Sequence, residues 1–253
     1  MITPLRVDAI IPALNEAESL GRVLDLLPSP PVRRVIVADN GSTDSTSRIA
    51  RDHGATAVLE PRRGYGAACL KGIEALAHDP PDVVLFLDAD LSDDPTEAGT
   101  LLGPIFEGRA DLVIGSRTSG VREPWALTPH ARFGNWLATR LLSTLYGARY
   151  TDLGPFRAIR YDSLKQLRMA DRDFGWTIEM QVKAARMGLR HVEVPVHYRR
   201  RVGRSKISGT LGGSLRAGLK ILGTIVADYV SHGPPVPGAS GQRGGSSRPG
   251  APS

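Results

Sequence analysis

The sequence predicts an α/β fold: a mainly parallel central sheet with helices on both faces. Two observations carry this prediction. Short apolar runs of strand length alternate with segments of helical period. Those runs lack the polar alternation of a half-solvated sheet and pass straight into polar loops, as strands buried on both faces do. A chain of 253 residues is long enough for one large domain of this kind, although length alone also fits two small ones.

The elements follow in order. Val7 to Ile11 is an apolar run closed by Pro12, a buried strand. From Glu16 to Leu27 the spacing of Leu20, Val23, Leu24 and Leu27 is helical, and Pro28 ends it. Val32 to Ala38 is a second strand, followed by the turn sequence DNGSTDS and a helix running to His53. Thr56 to Leu59 is a third strand and Gly64 to Ala77 a helix. Val83 to Leu87 is a fourth strand that ends on Asp88. Pro95 to Phe106 reads as a helix and Asp111 to Gly115 as a fifth strand. The second half is less regular: a helix over Arg132 to Tyr146, a strand over Phe156 to Arg160, a helix over Trp176 to Met187 and a strand over His191 to Tyr198. Residues 1–206 form one domain in this reading. A C-terminal amphipathic helix spans 207–230, and 231–253, rich in Pro, Gly and Ser, is expected to be a disordered tail.

Composition is that of an ordinary globular protein, 41% hydrophobic and 23% charged. The formal net charge of +6 admits nucleic acid, an anionic membrane surface or a phosphorylated substrate as partners. Aromatic content of 6% and the lack of a stacking motif argue against nucleic acid. One cysteine, Cys69, excludes an intrachain disulfide and fits a reducing compartment. With no signal-peptide pattern at the start and no apolar run of spanning length, the expected location is cytoplasmic, with contact at the inner face of the membrane left open.

The chemistry sits at strand ends. Asp88 and Asp90 follow the very apolar VVLFL, and two carboxylates there have no core role. Hard oxygen ligands suit Mg²⁺ or Mn²⁺ shared with substrate phosphates, while an acidic turn is the plainer alternative, since Asp93 and Asp94 follow. Asp39, at the end of the second strand, is placed to accept from a base or ribose, or else to organise a turn. Asn15 and Glu16 end the first strand in the same way. In a parallel sheet these ends converge on one crevice. Gly64 lies in the basic loop Arg62–Gly66 ahead of a helix, where backbone N–H groups can face an anion. Arg117 follows the fifth strand. Arg199 to Lys206 is the densest basic cluster, suited to phosphates or else a solvated charge run.

Taken together, PALNEAESL, VADNGSTDST, RRGYGAACLKG, VLFLDADLSDDP, DLVIGSR, DLGPFRAIR, FGWTIEMQVKAARMG and RRRVGRSKISGT resemble, in order, the blocks of the family 2 glycosyltransferases of GT-A fold. The likeness is greatest to the polyprenyl-phosphate sugar synthases. It implies that Pro12, Asn15, Glu16 and Asp39 contact the nucleotide, and that Asp88 and Asp90 hold metal and donor. It further implies that Arg117 lies near the acceptor phosphate and that Arg204, Ser205 and Lys206 close over the donor diphosphate. Asn40 departs from the family, where a second Asp is frequent, and the long membrane-spanning C-terminal region of some relatives is missing. The implied reaction is inverting, metal-dependent transfer of a hexose from a nucleoside diphosphate sugar, UDP-glucose first, to a polyprenyl phosphate. A hydroxyl acceptor would need a general base, for which Asp152 and Glu179 are the candidates; with Asp90 and Arg117 they make up the expected catalytic set. A soluble acceptor and a non-catalytic nucleotide-sugar or polyanion binder are the alternatives. The amphipathic helix, with Leu211, Leu215, Leu219, Leu222, Val226 and Tyr229 on one side and Arg216 and Lys220 on the other, fits a membrane surface, the domain itself or a second subunit in a homo-oligomer.

Overall fold

The computed structural model describes residues 5–203 and 211–234. Arg204, Ser205 and Lys206, and the expected tail beyond residue 234, lie outside the described residues.

Seven strands form one sheet: β1 (Val7–Ala13), β2 (Val32–Asp39), β3 (Thr56–Leu59), β4 (Val83–Phe86), β5 (Leu112–Ser116), β6 (Arg157–Arg160) and β7 (His191–Pro195). Their order is β3-β2-β1-β4-β6-β5-β7. Every pairing is parallel except those of β6, which runs antiparallel to both β4 and β5. All seven residues of β1 are buried. Their side chains alternate between two cores, Val7, Ala9, Ile11 and Ala13 in one and Ile10 in the other, as a period of two requires.

The first core is covered by α1 (Leu20–Leu26), α2 (Thr46–Asp52) and α4 (Ala98–Phe106). The second is covered by α3 (Tyr65–Ala75), α5 (Pro129–Tyr146), α6 (Tyr161–Leu167), α7 (Trp176–Arg186) and α8 (Leu211–His232). Helices thus cover both faces, as the sequence predicts. Gly72 lets α3 lie close on β1: a Cβ there would stand 2.5 Å from Ile10 Cγ2. That close approach carries the start of α3 over the carboxyl end of β1.

Several boundaries differ from the sequence expectations. α1 begins at Leu20 rather than Glu16, because Glu16 and Ala17 donate their N–H groups to Oγ1 of Thr46, the first residue of α2, and to Oδ2 of Asp44 in the loop before it. β4 stops at Phe86, so Asp88 stands in the turn beyond it. Pro95–Glu97 is a 3₁₀ turn ahead of α4. α5 starts three residues earlier than expected, with Pro129 in its first turn. α6 has no counterpart in the sequence reading. It is only seven residues long and ends on Arg168 in the left-handed region, so no glycine signals its stop.

The C-terminal helix packs on the domain. Ile225 is fully buried and Ile221 and Tyr229 pack against the second core. Lys220 is exposed, as expected of the polar side, and pairs with Asp171 at 2.9 Å. Asp228 takes Arg186 and the Tyr146 hydroxyl. Leu219 and Val226, also on the apolar stripe, are exposed together with Val230. Only part of the apolar stripe is needed to cover the core, and the ion pairs select which side turns inward. The side chains of Leu211, Leu215 and Arg216 lie outside the described residues.

Candidate active site

The chain runs from β1 outward through β2 to β3, then returns to place β4 on the other side of β1. The strand order therefore reverses between β1 and β4, and the crevice beyond their carboxyl ends is where open α/β sheets bind ligands. A cavity of ≈ 270 Å³ occupies that position. Pro12, Glu16, Asn40, Gly64, Asp88 and Asp90 line it, joined by Arg63, Tyr65, Phe174 and Arg201, for which the sequence reading named no individual role.

Backbone and side-chain bonds between the loops build the walls. Asn15, at φ 52°, donates its N–H to Ser42 Oγ at 2.9 Å and accepts from Thr43 N at 2.7 Å, which ties the β1 loop to the β2 loop. Asp39 accepts from Ser42 N at 2.8 Å and from the Ser47 hydroxyl, so its carboxylate organises the turn after β2. Asn40 donates to the carbonyls of Glu60 and Arg62 and accepts from Gly64 N at 2.8 Å. A carboxylate could not donate those bonds. The amide that departs from the family pattern therefore holds the basic loop in place. Gly64, at φ 144°, has no room for a side chain, since a Cβ would lie 2.1 Å from the Arg172 carbonyl.

Asp88 and Asp90 form the acidic floor. Tyr65 donates its hydroxyl to Asp88 Oδ1 at 3.1 Å. Burial, and then the neighbouring charge of Asp90, push Asp88 up to about 7. Arg201 answers that charge: its guanidinium lies 3.3 Å from Asp90 Oδ2 and 2.8 Å from Glu16 Oε1. The donor set of two adjacent carboxylates, one pushed up by the other, fits a hard divalent cation. Among the described residues no group of three or more His, Cys, Asp or Glu side chains could hold a metal ion.

The segment after β7 is zipped onto the acidic turn. Val202 N donates to Asp90 O, Arg199 N to Ser92 O, and Tyr198 bridges Asp93. Over its described part the basic run is solvated at Arg199 and Arg200, which are exposed, and part-buried at Arg201. Arg199 pairs with Asp94, Arg200 N donates to Glu123 Oε2, and Arg201 enters the cavity.

A second polar centre lies alongside. Asp152 is fully buried and grips Arg117 through both carboxylate oxygens, at 2.8 and 2.7 Å, while also accepting from Arg117 N. Burial works against the Arg117 cation, but Asp152 outweighs it and raises the arginine. The Tyr198 ring lies 5.0 Å from the guanidinium. Arg157, also fully buried, donates to the carbonyls of Leu153, Gly154 and Thr177 and so fixes the turn that carries Asp152. Asp93, read from the sequence only as part of an acidic turn, is instead buried, and both of its oxygens are without a hydrogen-bond partner among the described residues. Burial, then the charge of Asp88, hold its carboxyl well above the ordinary range.

Glu179 stands apart from this cavity. Its carboxylate accepts from Ala170 N and Asp171 N and pairs with Lys183 at 2.7 Å. It braces the 170–175 segment, whose Phe174 reaches the cavity wall. Structure therefore brings together Pro12, Glu16, Gly64, Asp88 and Asp90 around one cavity, pairs Arg117 with Asp152, and leaves Asp39 and Glu179 in supporting positions.

The model of the family described as glycosyl transferase family 2 matches residues 8–168. An uncharacterised glycosyltransferase of Mycobacterium tuberculosis is 40% identical over 214 residues, covering 83% of this chain and 94% of that protein. An undecaprenyl-phosphate mannosyltransferase of Micrococcus luteus is 32% identical over 233 residues, covering 83% and 90%. Among solved structures, glucosyl-3-phosphoglycerate synthase from M. tuberculosis, in complex with Mn²⁺, UDP-glucose and phosphoglyceric acid, superposes with a TM-score of 0.68 at 26% identity, covering 88% of this chain and 80% of that one. A sheet that switches at β1/β4, two acidic residues at the switch and a match over most of that sheet lead to one conclusion: the chain is a glycosyltransferase of family 2, with the GT-A fold.

Proposed function

We propose that this enzyme transfers a hexose, with inversion, from a nucleoside diphosphate sugar to a polyprenyl phosphate, with UDP-glucose as the first donor to test and Mg²⁺ or Mn²⁺ held at Asp88 and Asp90. The observation that carries this reading is the pairing of two centres: an acidic floor in the switch-point cavity, and a buried, clamped Arg117 beside it. The M. luteus relative supports a lipid-phosphate acceptor by its name, and the solved synthase supports a UDP-sugar with Mn²⁺ by its complex.

In this reading the nucleotide lies along Pro12, Asn15 and Glu16, with Asp39 holding the turn beside it and Gly64 close to the diphosphate. The ion, when bound, neutralises charge on the departing diphosphate. Arg201 leaves Asp90 for the same diphosphate, and Arg204, Ser205 and Lys206, which begin three residues further along the chain, are assigned to the same diphosphate. Arg117 holds the acceptor phosphate, and Asp152 keeps the guanidinium aimed. A phosphate oxygen attacks the anomeric carbon as the bond to the diphosphate breaks, and the electron pair leaves with it. That oxygen is already anionic at neutral pH, so no general base is required. The bonding of Asp152 and Glu179 suits support rather than proton abstraction.

A soluble phosphorylated acceptor is the second reading, favoured by the fold match to a synthase solved with phosphoglyceric acid. Labelled UDP-glucose and GDP-mannose offered with undecaprenyl phosphate or with 3-phosphoglycerate separate the two. Product from the lipid alone is expected, and product from phosphoglycerate alone would reverse the assignment. Asp88→Ala and Asp90→Ala should each lower transfer at least about 10²-fold in a folded protein. Full activity in excess chelator would remove the metal from the scheme.

A further inference from the structure

One surface of the domain is neither core nor cavity. On α5, Phe133 and Trp136 lie against each other with tilted rings, centroids 5.8 Å apart, and they are 62% and 58% exposed. Trp125, in the loop leading into α5, is 74% exposed and held at φ 66°, a conformation that bulky residues avoid. A pair of large exposed rings in contact, with a third large ring exposed in the loop that leads into the same helix, marks a contact surface.

Its position ties it to the acceptor side. Asn135, one residue before Trp136, is buried and bonds both Thr151 O and Leu153 N, the two neighbours of Asp152. The turn of α5 that displays the aromatics is therefore the turn that anchors the Arg117–Asp152 centre. Trp125 is held from the other side, where Arg200 donates to Pro124 O at 2.9 Å.

The charge around the aromatics selects the partner. Phe133, Trp136 and Arg140 fall on one side of α5 at helical spacing, with Arg132 beside them, and Arg132 and Arg140 are exposed. The whole of α5, Pro129–Tyr146, contains no Asp or Glu. Rings of Trp and Phe with flanking arginines are the composition that settles at the headgroup level of an anionic bilayer. A symmetric contact between two copies would instead set these arginines against a helix with no acid to meet them.

We propose that Trp125, Phe133 and Trp136, flanked by Arg132 and Arg140, seat the enzyme on the headgroup region of an anionic bilayer, with the Arg117 centre facing the lipid phosphates. This deepens, and rests on, the lipid-phosphate reading of the acceptor. It moves membrane contact from the C-terminal helix to α5 and the loop before it.

The test uses the full chain with phosphatidylcholine vesicles, with and without phosphatidylglycerol. Wild type is expected to co-sediment with the anionic vesicles and to show a blue shift of tryptophan fluorescence. Two of its three tryptophans lie in the patch, so Trp125→Phe and Trp136→Phe should each reduce the shift. Trp125→Ala with Phe133→Ala and Trp136→Ala should weaken vesicle binding about tenfold or more. Arg132→Glu with Arg140→Glu should abolish the preference for phosphatidylglycerol. UDP affinity and transfer to a water-soluble short-chain prenyl phosphate should stay unchanged in all of them. Vesicle binding that is absent in wild type, or equal in wild type and the variants, would overturn the proposal. So would a dimer in sedimentation velocity that the triple variant dissociates. Normal vesicle binding with no transfer to any prenyl phosphate would instead leave this surface standing and sink the acceptor assignment.

Discussion

Asp88 shows how much one residue type encodes and how much its neighbours add. Its carboxyl titrates at about 7 because burial and Asp90 both oppose its charge. A group raised in this way holds a proton in the folded state that the unfolded chain has already released. Stability therefore falls as pH rises from about 4 to about 7, and the deficit is complete above that. Mn²⁺ needs the carboxylate and so displaces the proton. The rise in melting temperature on adding Mn²⁺ should be larger at about pH 8 than at about pH 5.5, and Asp88→Asn should remove the difference. An equal Mn²⁺ shift at both pH values, or one that persists in Asp88→Asn, would contradict the coupling. Asn40 makes the complementary point. Its sequence suggests a lost carboxylate, whereas its two donated bonds show why an amide is needed there.

At the scale of elements, the site depends on how tightly α3 and the 171–174 segment approach. Gly66 N donates to Asp173 O and Ala67 N to Arg172 O, and a Cβ on Gly66 would lie 2.1 Å from the Asp171 carbonyl. Gly66→Ala should cost about 1–3 kcal/mol in urea unfolding, as overpacking does. It should also weaken UDP binding, because Gly64, Tyr65 and Phe174 move with the two segments. Gly99→Ala, in α4 with nothing within 4 Å, is the control and should be neutral or stabilising. Equal effects of the two substitutions would show that glycine entropy, not the close approach, governs the site. The strands and most helices could be read from periodicity. The starts of α1 and α5 could not, because loop-to-loop bonds and a first-turn proline set them rather than the apolar pattern.

Across the whole molecule, the parallel order of β2, β1 and β4 gathers three loops at one edge, so ligands there act on all of them. If Asp88 and Asp90 hold an ion together with the diphosphate, ion and nucleotide would each strengthen the other's binding by the same factor. Calorimetric titration should give tighter UDP binding in Mn²⁺ and tighter Mn²⁺ binding in UDP, with a joint rise in melting temperature above the sum of the two. Strictly additive shifts would mean independent sites. Among the described residues no helix is long and apolar enough to cross a membrane.

The amino-acid sequence by itself determined the α/β alternation, the polar strand ends and the residue types suited to a metal and a diphosphate. These are local properties: burial on both faces fixes the strand composition, and parallel strands present their carboxyl ends together. Only the tertiary structure decided the partners of the charges. Arg117 finds Asp152 across 35 residues and Arg201 finds Glu16 across 185, and no periodicity encodes such separations. Nor could it show that β6 inserts antiparallel between β4 and β5, carrying buried Arg157 beneath the Asp152 turn. The faces of α8 were settled in the same way, since an amphipathic pattern offers a range of orientations and the ion pairs of Lys220 and Asp228 choose among them.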